Sequence, residues 1–276
     1  MSQCDSGLKR PRLIATDLDG TIVPFDRPIS QRTIRALTAA HSFGIHIYFV
    51  TGRPPRWMRE IRETFDFGMG ICGNGALLYD FRAEQIQRSW LIESEALQQG
   101  AKILREVIPS AAFAVENFDG FHREESYNPR WDKGQDDVGV PKIEVHLHKP
   151  AIKFLVRSKG EELSSDEMLA VADASVGEFL TVTHSNPDES LLEISAFGVS
   201  KGSTLAQVAG ELHISAEDVV AFGDNPNDLS MLSWAGRSYA MKTGHPATHA
   251  IATGIAPECN EDGVAQVIEE LLALPE

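Results

Sequence analysis

The chain has 276 residues, 42% of them hydrophobic, with 40 acidic against 25 basic side chains and a formal charge of −15. That length is comfortable for two domains, each able to bury a core. The acidic balance argues against nucleic acid, whose phosphates are held by Lys and Arg, so an anionic substrate needs a local positive site from a metal ion, a lysine or helix N-termini.

Residues 1–12 carry Lys9, Arg10 and Arg12, but no apolar segment follows, so no secretory signal is expected. Leu13 to Thr16 then reads as a short buried strand that ends in two carboxylates, Asp17 and Asp19, followed by Gly20 and Thr21. A regular strand would aim these aspartates to opposite faces, but just past its end they can converge where Gly20 lets the backbone turn. Two carboxylates brought together repel unless a cation lies between them or one holds a proton. Ile22 to Ile29, with Pro24 and Pro28, suits a loop or flap over that strand end.

Ser30 is a helix cap, and the helix should run to about Phe43 with Ile34 and Leu37 inward and Gly44 ending it. Ile45 to Val50 is a second buried strand, again ending in small polar residues, Thr51-Gly52-Arg53. Pro54 and Pro55 open a helix through Trp57, Met58 and Ile61. Met69 to Cys72 is a third strand. After it, Gly73-Asn74-Gly75 is either a plain turn into a hairpin from Ala76 to Ile86 or a substrate contact. Gly68, Gly70 and Gly73 are not spaced as a dinucleotide fingerprint.

From about Trp90 the texture changes. Helices are expected over Ser94–Ile108 and Glu161–Ala174, and strands over Ala112–Val115, Ala151–Val156, Phe179–Thr183 and Leu191–Ile194. Asn117 to Pro150 is polar and aromatic with no clear period. The expected organisation is a core of residues 1–89 and 196–276 with an inserted α+β block over 90–195. His146 and His148 would share one strand face, but no further ligands complete a metal site. His245 and His249, four apart, suggest a solvated helix face.

The first domain resumes near Gly198. A helix over Ser200–Leu212 begins Ser-Lys-Gly-Ser, Val219–Phe222 is a fourth buried strand ending at Gly223-Asp224, and Ser238–Met241 is a weak fifth. The last helix runs from Gly263 to about Leu274. Repeated strand, polar turn and helix indicate an α/β fold with a Rossmann-like parallel sheet, whose strand ends gather ligands along one edge. Asp17, Asp19, Thr51, Lys201, Asp224, Asn227 and Asp228 would meet there. Oxygen donors without His or Cys at their centre select a hard cation such as Mg²⁺. Cys4, Cys72 and Cys259 are odd in number and far apart, so no disulfide framework is expected. No window approaches about 18 apolar residues, so no membrane span is expected and the cytoplasm is the expected compartment.

Asp17-Leu18-Asp19-Gly20-Thr21, Val50-Thr51-Gly52-Arg53, Gly73-Asn74-Gly75-Ala76, Val199-Ser200-Lys201-Gly202 and Gly223-Asp224-Asn225-Pro226-Asn227-Asp228 resemble, in order and spacing, the motifs of haloacid dehalogenase-like phosphatases. The resemblance points to the Cof-type group of subfamily IIB, with an inserted α/β cap, and spans nearly the whole chain. It implies that Asp17 attacks phosphorus and that Asp19 is the acid and base. Thr51 and Lys201 would complete the catalytic set, with Thr51, Gly52, Arg53, Asn74, Lys201 and Asn227 contacting substrate. The expected Mg²⁺ ligands are Asp17, Asp19 through its main-chain carbonyl, and Asp224, with Asn227 or Asp228 as ligand or support.

The implied activity is Mg²⁺-dependent hydrolysis of a small phosphorylated metabolite, a sugar or polyol phosphate, by a monomer or small homo-oligomer. A phosphomutase and a non-catalytic ligand-binding relative are the alternatives. The chain departs from the group after Ala240-Met241, where Thr243-Gly244 and His249 replace the usual Asn-Ala pair and Lys. His122, Arg123, Glu124, Tyr127, Trp131 and Asp132 are the expected specificity candidates of the inserted block.

Overall fold

The computed structural model describes residues 9–129, 138–161 and 163–275. The run before Asp17 is a strand, β1 (Leu13–Thr16), buried along its whole length because it is paired on both edges and covered on both faces. A helix, α1 (Gln31–Ser42), follows the flap, and the Ser30 hydroxyl accepts the Thr33 N–H at 3.0 Å as its cap. Then come β2 (His46–Val50), α2 (Arg59–Thr64), β3 (Met69–Cys72), β4 (Leu77–Asp80) and β5 (Gln85–Ser89).

The middle of the chain forms α3 (Ser94–Val107), β6 (Ala111–Asn117), β7 (Gly120–Arg123), β8 (Lys153–Ser158), α4 (Ser165–Val176), β9 (Leu180–Thr183) and β10 (Leu191–Ala196). The remainder forms α5 (Lys201–Glu211), β11 (Val219–Gly223), α6 (Leu229–Trp234), β12 (Arg237–Met241), α7 (Pro246–Ile251), β13 (Gly254–Ala256) and α8 (Gly263–Leu272).

Eight strands make one sheet in the order β13-β12-β11-β1-β2-β3-β4-β5, and every pair from β13 to β3 is parallel. Five make a second, antiparallel sheet in the order β7-β6-β8-β10-β9. The chain divides into two compact units. The first holds the described residues up to Cys72, Leu78–Gln87 and the chain from Lys201 onward; the second holds Gly73–Leu77 and Arg88–Ser200.

The second unit has its own core. Helices α3 and α4 bury Leu97, Leu104, Met168 and Val176 against Phe113, Phe154 and Ile194 of the antiparallel sheet, and the Phe113 and Phe154 rings stack 5.2 Å apart.

Several elements differ from the sequence expectations. The Pro54-Pro55 segment is a short 3₁₀ turn, Pro55–Trp57, that breaks at Met58 before α2. The Met58 N–H bonds back to the Pro55 carbonyl, three residues earlier, so the turn tightens instead of propagating. β7 lies inside the stretch read as aperiodic, because four residues beginning with glycine are too few to show alternation. His146 ends a 3₁₀ segment, Ile143–His146, so it shares no strand face with His148; its ring stacks on His122 at 4.1 Å.

Of the specificity candidates, Glu124 and Tyr127 are interior groups. The Glu124 carboxylate accepts the N–H groups of Phe113 and Ile143, both at 3.1 Å, and pairs with Arg105. Tyr127 packs edge-on against Phe121. A carboxylate is buried only where such partners exist, so both residues hold the unit together and neither is open to a ligand. Trp131 and Asp132 lie outside the described residues.

Candidate active site

Strand register brings the motifs together. Thr16 at the end of β1 is level with Phe222 of β11 on one side and Phe49 of β2 on the other. In adjacent parallel strands the next residues emerge along one edge, so Asp17 falls between Gly223-Asp224 and Val50-Thr51. The Asp17 N–H donates to the Phe222 carbonyl at 2.9 Å, and the Thr51 N–H to the Ile71 carbonyl at 2.8 Å. Beyond Asp17 the chain closes a tight loop in which the Leu18 carbonyl accepts from Thr21, Ile22 and Val23 at 3.2, 2.9 and 2.8 Å. Gly20 sits in that loop at φ +81°, and a Cβ there would stand 2.6 Å from an Asp224 oxygen. Both backbone freedom and lack of bulk are required at this position.

A fully buried ammonium joins two strand ends. Lys201 Nζ, at the start of α5, donates to Asp17 Oδ1 at 2.5 Å and to Asp228 Oδ1 at 2.6 Å. The second Asp228 oxygen accepts the N–H groups of Asp224 and Asn225 at 2.9 and 3.0 Å, which fixes the turn that carries Asp224. The Asp224 carboxylate accepts from Thr21 Oγ1 at 3.3 Å and from Asn225 Nδ2 at 2.8 Å.

Charges held this closely perturb one another. Burial pushes the Asp17 carboxyl up to about 7 against the pull of Lys201, and the negative neighbours Asp228 and Asp19 add to the rise. Burial raises Asp224 well above the carboxylate range, with Asp17 and Asp228 contributing. Lys201 moves up because the attraction of Asp17 and Asp228 together outweighs the opposing effect of burial.

Asp17, Asp224 and Asp228 each present an oxygen within 4.8 Å of the others. A set of hard oxygen donors whose mutual repulsion lacks full compensation from one lysine fits a hard divalent cation. Asp228 already spends both oxygens on Lys201 and on main-chain N–H groups. Asp17 and Asp224 are therefore the better placed to ligate, with Asp228 behind them.

The chain matches, over residues 14–268, the family model described as haloacid dehalogenase-like hydrolase. It belongs to that family. Among the curated relatives of this haloacid dehalogenase-like hydrolase is YxeH of Bacillus subtilis, 28% identical over 278 residues, a match covering 95% of this chain and 98% of YxeH. The 5-amino-6-(5-phospho-D-ribitylamino)uracil phosphatase YitU of the same organism is 25% identical over 284 residues, covering 96% and 99%. Among solved structures, BT1666 from Bacteroides thetaiotaomicron, a phosphatase of the superfamily, superposes with a TM-score of 0.78 over 98% of both chains at 22% identity.

The other motif residues of the hydrolase occupy distinct places. Arg53 grips Asp19 with two bonds, Nε to Oδ2 at 2.8 Å and Nη2 to Oδ1 at 2.5 Å, so neither oxygen of Asp19 is idle. The buried Thr51 hydroxyl accepts the Arg53 N–H at 3.0 Å and thereby shapes the Thr51-Gly52-Arg53 turn. Asn227 is buried within the short turn Pro226–Asp228. Asn74 belongs to the second unit, at φ 56°, where its Nδ2 donates to Glu193 Oε2 at 2.9 Å and Glu193 pairs with Lys153. Thr21 and Asn225 hold Asp224 in place yet drew no assignment from the sequence. Each stands inside a motif, and that was the signal available.

Proposed function

We propose that this hydrolase is a Mg²⁺-dependent phosphatase that releases phosphate from a small phosphorylated metabolite, a sugar or polyol phosphate, by way of an aspartyl-phosphate on Asp17. The observation that carries this reading is the buried Asp17–Lys201–Asp228 pairing beside Asp224. It holds the Asp17 carboxylate oriented and only partly neutralised beside a second carboxylate, where a bound cation together with Lys201 would supply the positive charge that a phosphoryl group needs.

Asp17 and Asp224 would hold the cation, with the Asp19 main-chain carbonyl and with Asn227 or Asp228 in support. When bound, the ion supplies positive charge that reduces repulsion between the phosphoryl oxygens and the attacking carboxylate. An Asp17 oxygen forms a bond to phosphorus as the bond from phosphorus to the leaving oxygen breaks. Asp19, with one oxygen released from Arg53 and protonated, gives that proton to the leaving oxygen, then takes one from the water that attacks phosphorus, and Asp17 departs with the electron pair of its P–O bond. Lys201 and the Thr51-Gly52-Arg53 turn bind the phosphoryl oxygens.

Residues 90–195 form the block that selects among phosphate esters in this reading. The polyol assignment is supported by YitU, whose named substrate is the phosphate ester of a ribityl chain. Among the described residues no helix is long and apolar enough to cross a membrane. We place the enzyme in the cytoplasm, as a monomer or small homo-oligomer, in keeping with the free thiols of Cys72 and Cys259.

The test is phosphate release from a panel of hexose, pentitol and nucleotide phosphates, with and without Mg²⁺, for the wild type and Asp17→Asn. Wild-type release that disappears in Asp17→Asn, with an unchanged melting temperature, is the expected result. An isomeric sugar phosphate in place of free phosphate would identify a phosphomutase. Retention of more than a few per cent of kcat in Asp17→Asn would overturn the covalent mechanism.

A further inference from the structure

The loop after Asp19 holds an aromatic ring in solvent beside the carboxylate cluster. Phe25 is 76% exposed, whereas Ile22, Val23 and Ile29 of the same flap are 2%, 7% and 6% exposed. Three N–H groups on the Leu18 carbonyl fix the base of the flap. The Gly20 N–H donates to the Val23 carbonyl at 3.0 Å, and Arg27 donates to the Asn260 carbonyl at 2.5 Å just beyond the ring. The backbone is thus tied down ahead of Phe25, and beyond it the Arg27 side chain reaches across to the Asn260 carbonyl.

A single exposed apolar residue is ordinary on a protein surface. Position makes this one informative. A Cβ built on Gly20 would stand 2.6 Å from Asp224 Oδ2 and 3.5 Å from Phe25 Cε2, so ring edge and carboxylate flank the same point. Lys201 and Asp228 are fully buried and close the inner side of the cluster. A phosphoryl group bound by Lys201 and by a cation on Asp17 and Asp224 therefore carries its leaving group away from that closed side, toward the side where Phe25 is exposed. The charged groups Asp17, Asp224 and Lys201 can bind a cation and phosphate oxygens but give a carbon skeleton no apolar face. An aromatic face packs well against carbon–hydrogen groups.

We propose that Phe25 is a specificity-determining residue, whose ring forms an apolar wall for the carbon–hydrogen face of the leaving group. The inference rests on the phosphatase reading and adds to it that the sheet unit itself takes part in choosing the substrate. It favours esters with a leaving group of several carbons over those with a very small one.

The experiment compares the wild type, Phe25→Ala and Phe25→Tyr on ribitol 5-phosphate, glucose 6-phosphate, p-nitrophenyl phosphate and acetyl phosphate. The expected result for Phe25→Ala is a roughly tenfold fall in kcat/KM on the esters with larger leaving groups, mostly through KM, and a much smaller fall on acetyl phosphate. Phe25→Tyr, which keeps the ring, should recover most of the loss. A proportional fall on all four substrates would overturn the proposal, since the ring would then support the catalytic loop and not the leaving group. Wild-type turnover with Phe25→Ala unchanged would overturn it as well, leaving the phosphatase reading intact. No phosphate release by the wild type from any of the four would overturn the phosphatase reading and the role of Phe25 with it.

Discussion

Lys201 is the residue on which the carboxylate cluster depends. It is completely buried and bonded to Asp17 and Asp228, so its charge offsets two negative charges withdrawn from water. Lys201→Met keeps much of the volume and removes the charge, leaving both carboxylates buried without their cation. Breaking a buried pair in this way costs about 3–5 kcal/mol. Urea denaturation of Lys201→Met should show a loss of that order, together with loss of phosphate release. A variant of wild-type stability would mean that the ammonium is not holding the cluster. The identity of this lysine was legible from its Ser-Lys-Gly context. That Asp17 and Asp228 would meet it at one sheet edge was legible too, but not that their oxygens are its two hydrogen-bond partners, because they lie 184 and 27 residues away along the chain.

Short elements position these side chains, and their packing is visible at two glycines. A Cβ on Gly202, the residue after Lys201, would lie 2.3 Å from the Ser230 carbonyl oxygen, and one on Gly223 would lie 2.5 Å from Asp228 Cγ. Helix α5 therefore meets α6 with backbone almost in contact, and the Gly202 N–H donates to Ser230 Oγ at 3.0 Å. Gly202→Ala should push α5 outward and shift Lys201. Overpacking of this kind costs typically 1–3 kcal/mol. The expected outcome is a lower melting temperature and a fall in kcat larger than any change in KM, measured by thermal melting and steady-state kinetics.

Helix α4 gives a pH-dependent prediction at the same scale. Ser164 caps it, and the Ser164 N–H and hydroxyl both donate to Glu167, holding that carboxyl below its ordinary 4.5. A carboxyl lowered by folding contributes stability above its unfolded value and loses that contribution as pH falls through the folded one. Glu167→Gln should therefore melt below the wild type at pH 7, with the difference closing under acid conditions below 4.5. A gap that persists unchanged in acid would mean the Glu167 charge is irrelevant to the cap.

For the whole molecule, a cation that joins Asp17 to Asp224 binds only when β1 and β11 are in place, so it stabilises the folded state by mass action. At 100 times its Kd the expected gain is about 2.7 kcal/mol. Mg²⁺ should raise the melting temperature in a saturable way, and a chelator should reverse both this shift and catalysis. Ca²⁺ should bind yet support turnover poorly, because its larger and looser shell disturbs in-line geometry. Replacing Asp224 with Ala should abolish the Mg²⁺-dependent shift. Full activity in excess chelator would rule out the metal reading.

Local sequence by itself determined the buried strands, the acidic and glycine turns that end them, and the existence of the longer helices. These follow from side-chain period and turn chemistry within about ten residues. The spacing of the motifs also carried the family resemblance. Tertiary structure alone decided which oxygens meet. That Asp228 is occupied by Lys201 and two main-chain N–H groups, that Arg53 grips Asp19, and that Glu124 and Tyr127 are interior depends on contacts between distant segments. The sequence also left β7, β13 and α6 undetected, since a run of three to six residues is too short to show a period. Phe25 shows the same division: its apolar character is plain in the sequence, but only the parallel register of β1 and β11 puts its ring beside Asp224.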